Sequence, residues 1–533
     1  MKKFVTKTKK FADTYYVISL MLCGSLVFAS IFTESKILTD RFVYPKWFFV
    51  TMVLFLMSSF YLYLYFRGRD IAIDTKWRSY LDIIICVICG FQGCFYLLQK
   101  ITHVNCEHFF IAGSFDNIAG LSSCLSISLP IGLNILKRKD IETHTNNSFG
   151  TYKSINIIWW IICVSKISSI LAIVVSKSRL GIICVLFTLA FGLGLKNNKK
   201  LITLLIVLLL SLFVVKTKST NGRYFIYKQA IYMISEKPLT GWGTNGFRNQ
   251  YMEVQANYFR RNVDSKFSNI ADNIHHPLSD YLLVGVNYGV PMLTLLVITS
   301  IILLRIAFKN RYANPNLLCL TNIIIHSSFS YPFIYPFTWV MVIFVLLNMF
   351  SKTLIKVSGF ALVVSASVVL STPSLVNNYI KNLKWGIIAD KGDKGMLGKI
   401  LPQYDRLYPY FCENPFFLYN YSAILFECGL YSGSVKIAES CFEIYKDYDL
   451  CLLLGDTYMK LNKYSKAEEM YELAHDMVPS RITPLYRIFV LLFKQGKQRD
   501  AENIGKKILC HKEKINSDIS IQIKKEVSNI LNK

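Results

Sequence analysis

Two apolar runs, LITLLIVLLLSLFVV (Leu201–Val215) and LLVGVNYGVPMLTLLVITSIILL (Leu282–Leu304), bracket a long polar stretch. It opens KTKSTNGRYFIYKQAIYMISEKPLTGWGTNGFRNQYMEVQANYFRRN (Lys216–Asn262) and closes DNIHHPLSDYL (Asp272–Leu282). Each flank is long enough, or nearly so, to cross a hydrocarbon layer of about 30 Å as helix. The chain has 533 residues, of which 53% are hydrophobic, and further apolar runs such as Tyr16–Phe32 precede the pair. A single soluble core needs far fewer such runs. The sequence is that of a polytopic membrane protein of the all-α class.

The apolar runs predict about eleven transmembrane helices, near 14–33, 46–66, 80–98, 110–136, 155–175, 180–195, 201–215, 281–307, 317–334, 336–350 and 354–371. The formal net charge of +26 does not point to nucleic acid. Most cations of the first 370 positions stand in short loops between apolar runs, as membrane topology and anionic lipid headgroups favour. The lysine-rich start MKKFVTKTKK belongs in the cytoplasm. Alternate loops then carry Arg67, Arg69, Lys76 and Arg78; Lys137, Arg138 and Lys139; Lys196, Lys199 and Lys200; Lys309 and Arg311; and Lys352. This alternation predicts that the 216–280 loop and everything beyond Thr372 face outward. Lys177 and Arg179, in SKSRLG (Ser176–Gly181), are cations on that outer side with no carboxylate nearby in sequence. They read either as snorkelling residues at a helix end or as contacts to a lipid phosphate.

The 14 cysteines form no metal-ligand pattern, and no metal or cofactor is expected. Cys86 and Cys89 in CVIC lie within an apolar run and read as small hydrophobes. Cys106, Cys412, Cys428, Cys441, Cys451 and Cys510 fall outside the expected spans, where disulfides are open.

Within the loop, Thr220-Asn221-Gly222 predicts a helix start and Pro238 its end. Ile226, Ala230, Met233 and Ile234 give one apolar face, suited to lying along a membrane surface. Arg223 then falls in the first turn, where an anion shared with backbone N–H groups would favour it. It reads as a pyrophosphate ligand or as a solvated arginine. Gly241, Gly243 and Gly246 permit tight turns but form no nucleotide-binding motif. His275 and His276 are candidates for a general base or for structural roles.

Beyond Thr372 the composition changes. Residues 372–412 read as a linker and 413–533 as amphipathic helical repeats of about 34 residues. YSKAEEMYELAHDMVP from Tyr464 and KQRDAENIGKKIL from Lys497 align Ala467 with Ala501, and YSGSVKIAESCFEIY from Tyr431 is a weaker copy. Gly429, Asn462 and Gly496 stand at the turns. This region resembles tetratricopeptide repeats, which implies a peptide-binding surface for a protein partner or a passive cap.

Residues 1–371, with the loop as their centre, resemble the O-antigen ligase/polymerase superfamily of membrane glycosyltransferases. The resemblance rests on GSFDNIAGLSSCLSISLP (Gly113–Pro130), SKSRLG, the loop with its Arg223, YLLVGVNYGVPM after it, and SYPF (Ser330–Phe333). It implies a metal-independent, inverting transfer of a polyprenyl-diphosphate-linked glycan at the outer face of a bacterial inner membrane. The acceptor would be lipid A-core, a growing glycan or a protein hydroxyl. By motif position Arg179 and Arg223 would hold the diphosphate, joined as substrate-binding candidates by Lys177 and Arg248. The family's histidine position is occupied by Leu278, and the glutamate of its E-x-G by Asn287. His276 and Asp280 are therefore the candidate catalytic residues. Ligation, repeat-unit polymerisation and protein O-glycosylation all fit, and a non-enzymatic membrane scaffold is the alternative of another class.

Overall fold

The computed structural model describes residues 2–67, 75–102, 112–137, 152–192, 217–309, 315–354, 358–511 and 517–531. Among these there are twenty α-helices and no strand. The first six are α1 (Lys2–Phe32), α2 (Val43–Phe66), α3 (Thr75–Thr102), α4 (Ile118–Lys137), α5 (Tyr152–Val175) and α6 (Arg179–Gly192). The loop supplies α7 (Thr217–Glu236) and α8 (Gly246–Arg261), followed by α9 (Asp280–Lys309). Then come α10 (Pro315–Phe329), α11 (Pro336–Leu354), α12 (Ser358–Asp393) and α13 (Leu397–Phe411). The remainder are α14 (Pro415–Glu427), α15 (Tyr431–Ile444), α16 (Tyr448–Lys460), α17 (Tyr464–Met477), α18 (Thr483–Lys494), α19 (Gln498–Cys510) and α20 (Asp518–Leu531).

Among the described residues, six helices are long and apolar enough to span a membrane: Tyr15–Phe32, Val43–Phe66, Ser79–Thr102, Ile118–Lys137, Ile157–Val175 and Asp280–Ile306. The expectation of about eleven spans is not met by these. Helix α6 has only 14 residues, about 21 Å at 1.5 Å per residue. The expected 317–334 span ends as helix at Phe329, before a short 3-10 turn at Pro332–Ile334. The expected span 201–215, with Lys196, Lys199 and Lys200, lies outside the described residues, as do Arg69, Cys106, Arg138, Lys139 and Arg311.

The chain folds as two compact units, one of residues 1–212 and 297–383 and the other of 213–296 and 384–533. In the first, small residues let helices approach closely, as membrane bundles require. A Cβ on Gly90 would lie 2.0 Å from Ser165 Oγ, and one on Gly132 would lie 2.2 Å from Lys166 Cε. Ser168 Oγ donates to Gly90 O at 3.0 Å. Leu121, Leu125, Ile127 and Leu129 of α4 are fully buried at the centre.

In the second unit the loop helices share a core with the C-terminal helices. Ile226, Ala230 and Met233 of α7, Phe247, Tyr251 and Met252 of α8, and Val286 of α9 pack with Tyr448, Cys451, Ala474 and Met477. The apolar face of α7, expected to lie on a membrane surface, is thus covered by protein. Residues 372–412 are helical through the end of α12 and α13. Beyond them, Gly429, Asn462 and Gly496 each adopt the left-handed conformation at the turns of helix pairs about 33–34 residues apart. Ser434, Ala467 and Ala501, at equivalent places after those turns, are all fully buried. The described cysteines are free thiols.

Candidate functional site

The PLTGWG turn positions the loop. Val290 N–H donates to Pro238 O at 2.7 Å, Trp242 N–H to Val286 O at 2.9 Å and Gly243 N–H to Asn287 O at 2.9 Å. This lacing needs two glycines. Gly241 (φ 66) and Gly289 (φ 80) are left-handed, and a Cβ at either would come within 2.5 Å of facing backbone. Gly289 also breaks α9. The two turns before it carry Val286 into the core of the second unit, whereas Val290, Met292, Leu295 and Ile298 after it are exposed apolar side chains. Asn287 Oδ1 accepts the Phe247 N–H at 3.1 Å. It caps α8, whose own N-cap, Asn245, is left-handed and makes no side-chain cap.

Helix α7 already runs from Thr217, so Arg223 lies in its second turn and the expected first-turn placement is corrected. Arg223 instead stands one turn before Tyr227, whose phenol is pushed up by burial and drawn back by this arginine. Tyr227 OH donates to Leu278 O at 3.2 Å, and Leu278 N–H donates to His276 Nδ1 at 3.0 Å. Leu278 is left-handed (φ 55), a conformation that strains a bulky L-residue by roughly 1–2 kcal/mol. Its two hydrogen bonds hold it there. With Nδ1 accepting, the neutral His276 ring carries its proton on Nε2, 3.8 Å from Asp280 Oδ1. Burial lowers the His276 pKa to about 4. Asp280 opens α9, where the helix dipole favours a carboxylate. Arg223, His276 and Asp280 are therefore linked through Tyr227 and Leu278.

Arg248 lies beside the C-terminal helices. Its guanidinium lies 4.0 Å from the centre of the Phe416 ring, a cation–π contact with α14. Arg260 pairs with Asp476 at 2.5 Å, and Arg481 with Asp272 at 2.9 Å. The histidine loop meets C-terminal residues that spacing did not single out. Tyr445 OH lies 3.2 Å from His275 Nδ1 and donates to Asp447 Oδ2 at 3.0 Å, while Asn273 Nδ2 donates to the same carboxylate at 2.9 Å. No periodicity could have flagged Tyr445, which stands 170 residues from His275.

Lys177 and Arg179 belong to the first unit. Lys177 is left-handed (φ 53) and exposed, and Arg179 is the first residue of α6. Ser178 Oγ caps that helix by accepting the Gly181 N–H at 3.2 Å. In the same unit the Gly113–Pro130 and SYPF motifs meet. Asn117 Nδ2 donates to Tyr331 OH at 3.1 Å and Tyr335 OH at 2.9 Å, and Tyr335 OH donates to Asp116 at 2.6 Å.

An all-helical membrane protein with an arginine- and histidine-bearing helical insertion is the class these features define. Residues 164–297, about a quarter of the chain, match the family described as O-Antigen ligase. The match runs from α5 into α9, taking in the whole insertion, and supports a place in the O-antigen ligase/polymerase superfamily of membrane glycosyltransferases. No curated protein matches the chain.

Proposed function

We propose that the protein transfers a polyprenyl-diphosphate-linked glycan to an acceptor hydroxyl at the outer face of a bacterial inner membrane, in the manner of an O-antigen ligase. The observation that carries this is the linkage of Arg223 to the histidine loop within the family-matched segment. A guanidinium neutralises the charge that builds on a departing diphosphate, and a neutral imidazole of the histidine loop whose ring lone pair is uncommitted can receive the acceptor's proton. The transfer is metal-independent and inverting: the acceptor oxygen attacks the anomeric carbon from the side opposite the diphosphate. Arg223 is a diphosphate contact. Arg179, at the start of α6, has the helix-terminal setting in which backbone N–H groups favour an anion, and with Lys177 it is a candidate phosphate contact in its own right. Repeat-unit polymerisation and protein O-glycosylation make the same physical demands on these residues. The C-terminal repeats face the same compartment as the loop and offer a surface to a protein partner.

Substitution of Arg223 or Arg179 by alanine in a deletion strain is expected to abolish transferred glycan while membrane-inserted protein remains. Full surface glycan with both substitutions would refute enzymatic transfer. In the deletion strain itself, unlinked polymer identifies a ligase, single-repeat cores a polymerase, and altered glycoproteins alone a protein transferase. A non-enzymatic scaffold is the second reading. It draws on Leu278 and Asn287 standing where the family carries histidine and glutamate, and it requires Arg179→Ala and Arg223→Ala to leave surface glycan intact while loss of 413–533 removes it.

A further inference from the structure

The histidine pair is divided by its hydrogen bonds. His276 has its Nδ1 lone pair taken by the Leu278 N–H, so its remaining ring nitrogen is the protonated one. His275 is in the opposite tautomer. The Asp447 carboxylate accepts from Tyr445 OH, Asn273 Nδ2, Asp449 N and Leu450 N. The single Tyr445 proton is therefore directed at Asp447, and the Tyr445–His275 contact at 3.2 Å has Nδ1–H as donor. That leaves the lone pair of His275 on Nε2, on a residue exposed to solvent. Asp447 is itself immobilised as the N-cap of α16. The order carboxylate, hydroxyl, imidazole is that of a base oriented by a second and a third group.

Resting on the glycan-transfer reading above, we infer that His275 Nε2 accepts the acceptor's proton and that Tyr445 and Asp447, from the C-terminal segment, are the positioning residues that fix its tautomer. As the acceptor oxygen bonds to the anomeric carbon, the bond from that carbon to the diphosphate oxygen breaks. The polyprenyl diphosphate leaves with the electron pair. The acceptor's proton passes to Nε2 and from there to water. The charge of Arg248 opposes protonation of the His275 ring. This assigns to the C-terminal segment a part in the reaction itself, since the base lacks its orienting partners without it.

The test follows the initial rate at which surface glycan appears after induction of the full-length protein in a deletion strain. His275→Ala is expected to lower the rate about 10²-fold or more, and imidazole in the medium to restore part of it. His275→Asn keeps a donor towards Tyr445 but has no basic nitrogen, so it is expected to be as slow while accumulating normally in the membrane. Tyr445→Phe is expected to slow the wild-type protein about tenfold and to add nothing to His275→Ala, as members of one unit behave. A full rate in His275→Ala, an imidazole-insensitive loss, or additive losses in the double variant would each overturn the assignment. Arg223→Ala separates the levels. If it is inactive while His275→Ala is active, only the base is misassigned; if both are active, glycan transfer itself is wrong.

Discussion

At the residue scale, the notable position is Leu278. Its backbone strain persists because Tyr227 and His276 hold both its polar groups, and such strain tends to be stored at functional sites. Tyr227→Phe removes one of the two bonds and is expected to lower stability by about 1 kcal/mol, read as a lower melting temperature of the detergent-purified protein. His276 makes stability depend on pH. Its side chain is 18% exposed, and its pKa falls from 6.5 to about 4 on folding. Between those values the unfolded chain binds the proton and the folded one does not. Stability is therefore full above pH 6.5, declines as pH falls towards 4, and then levels off, a loss of up to about 3 kcal/mol. His276→Asn keeps an acceptor for the Leu278 N–H without titrating, and the melting curves should lose that slope. An unchanged slope would show that another group is responsible.

At the scale of elements, helices declared themselves through apolar runs and turn residues, and what they pack against did not. Gly429, Asn462 and Gly496 were readable as turns because a left-handed residue is needed to end one helix and start the next, and all three are left-handed. The apolar face of α7 was equally readable, yet a membrane surface and a protein core demand the same periodicity. Only the structure shows that Tyr251, Met252 and Tyr448 are in its core. Thr220-Asn221-Gly222 has the residue types of a helix cap, but the helix continues through them from Thr217 and so carries Arg223 in its second turn. Asn287 looked like a lost functional glutamate and proves to cap α8. Asn287→Ala is expected to lower the melting temperature by the equivalent of about 1 kcal/mol. Gly289→Ala, with Leu239 O 2.5 Å from the new Cβ, should do far more damage by unseating the PLTGWG turn. A Gly289→Ala protein as stable as wild type would contradict the lacing described above.

At the scale of the whole molecule, the membrane class was legible from composition, since no soluble core needs so many apolar runs. The union of 213–296 with 384–533 was not, because its contacts join residues some 170 to 220 positions apart in sequence, such as His275 with Tyr445 and Arg260 with Asp476. The shared core makes the loop dependent on the C-terminal helices for its fold. Removal of 413–533 is expected to expose Ala256, Tyr251 and Met252 and to render the loop sensitive to protease in intact membranes. Loss of the Arg260–Asp476 pair, whose arginine is 47% exposed, should by contrast leave the loop protected.

Glycan transfer is tested most directly by quantifying the polyprenyl-diphosphate-linked glycan by mass spectrometry in a deletion strain expressing wild-type or Arg223→Ala protein at equal membrane abundance. Consumption of the lipid-linked donor by the wild type and its accumulation with Arg223→Ala are the expected results. Equal donor pools in the two strains, with equal glycan on the acceptor, would contradict them.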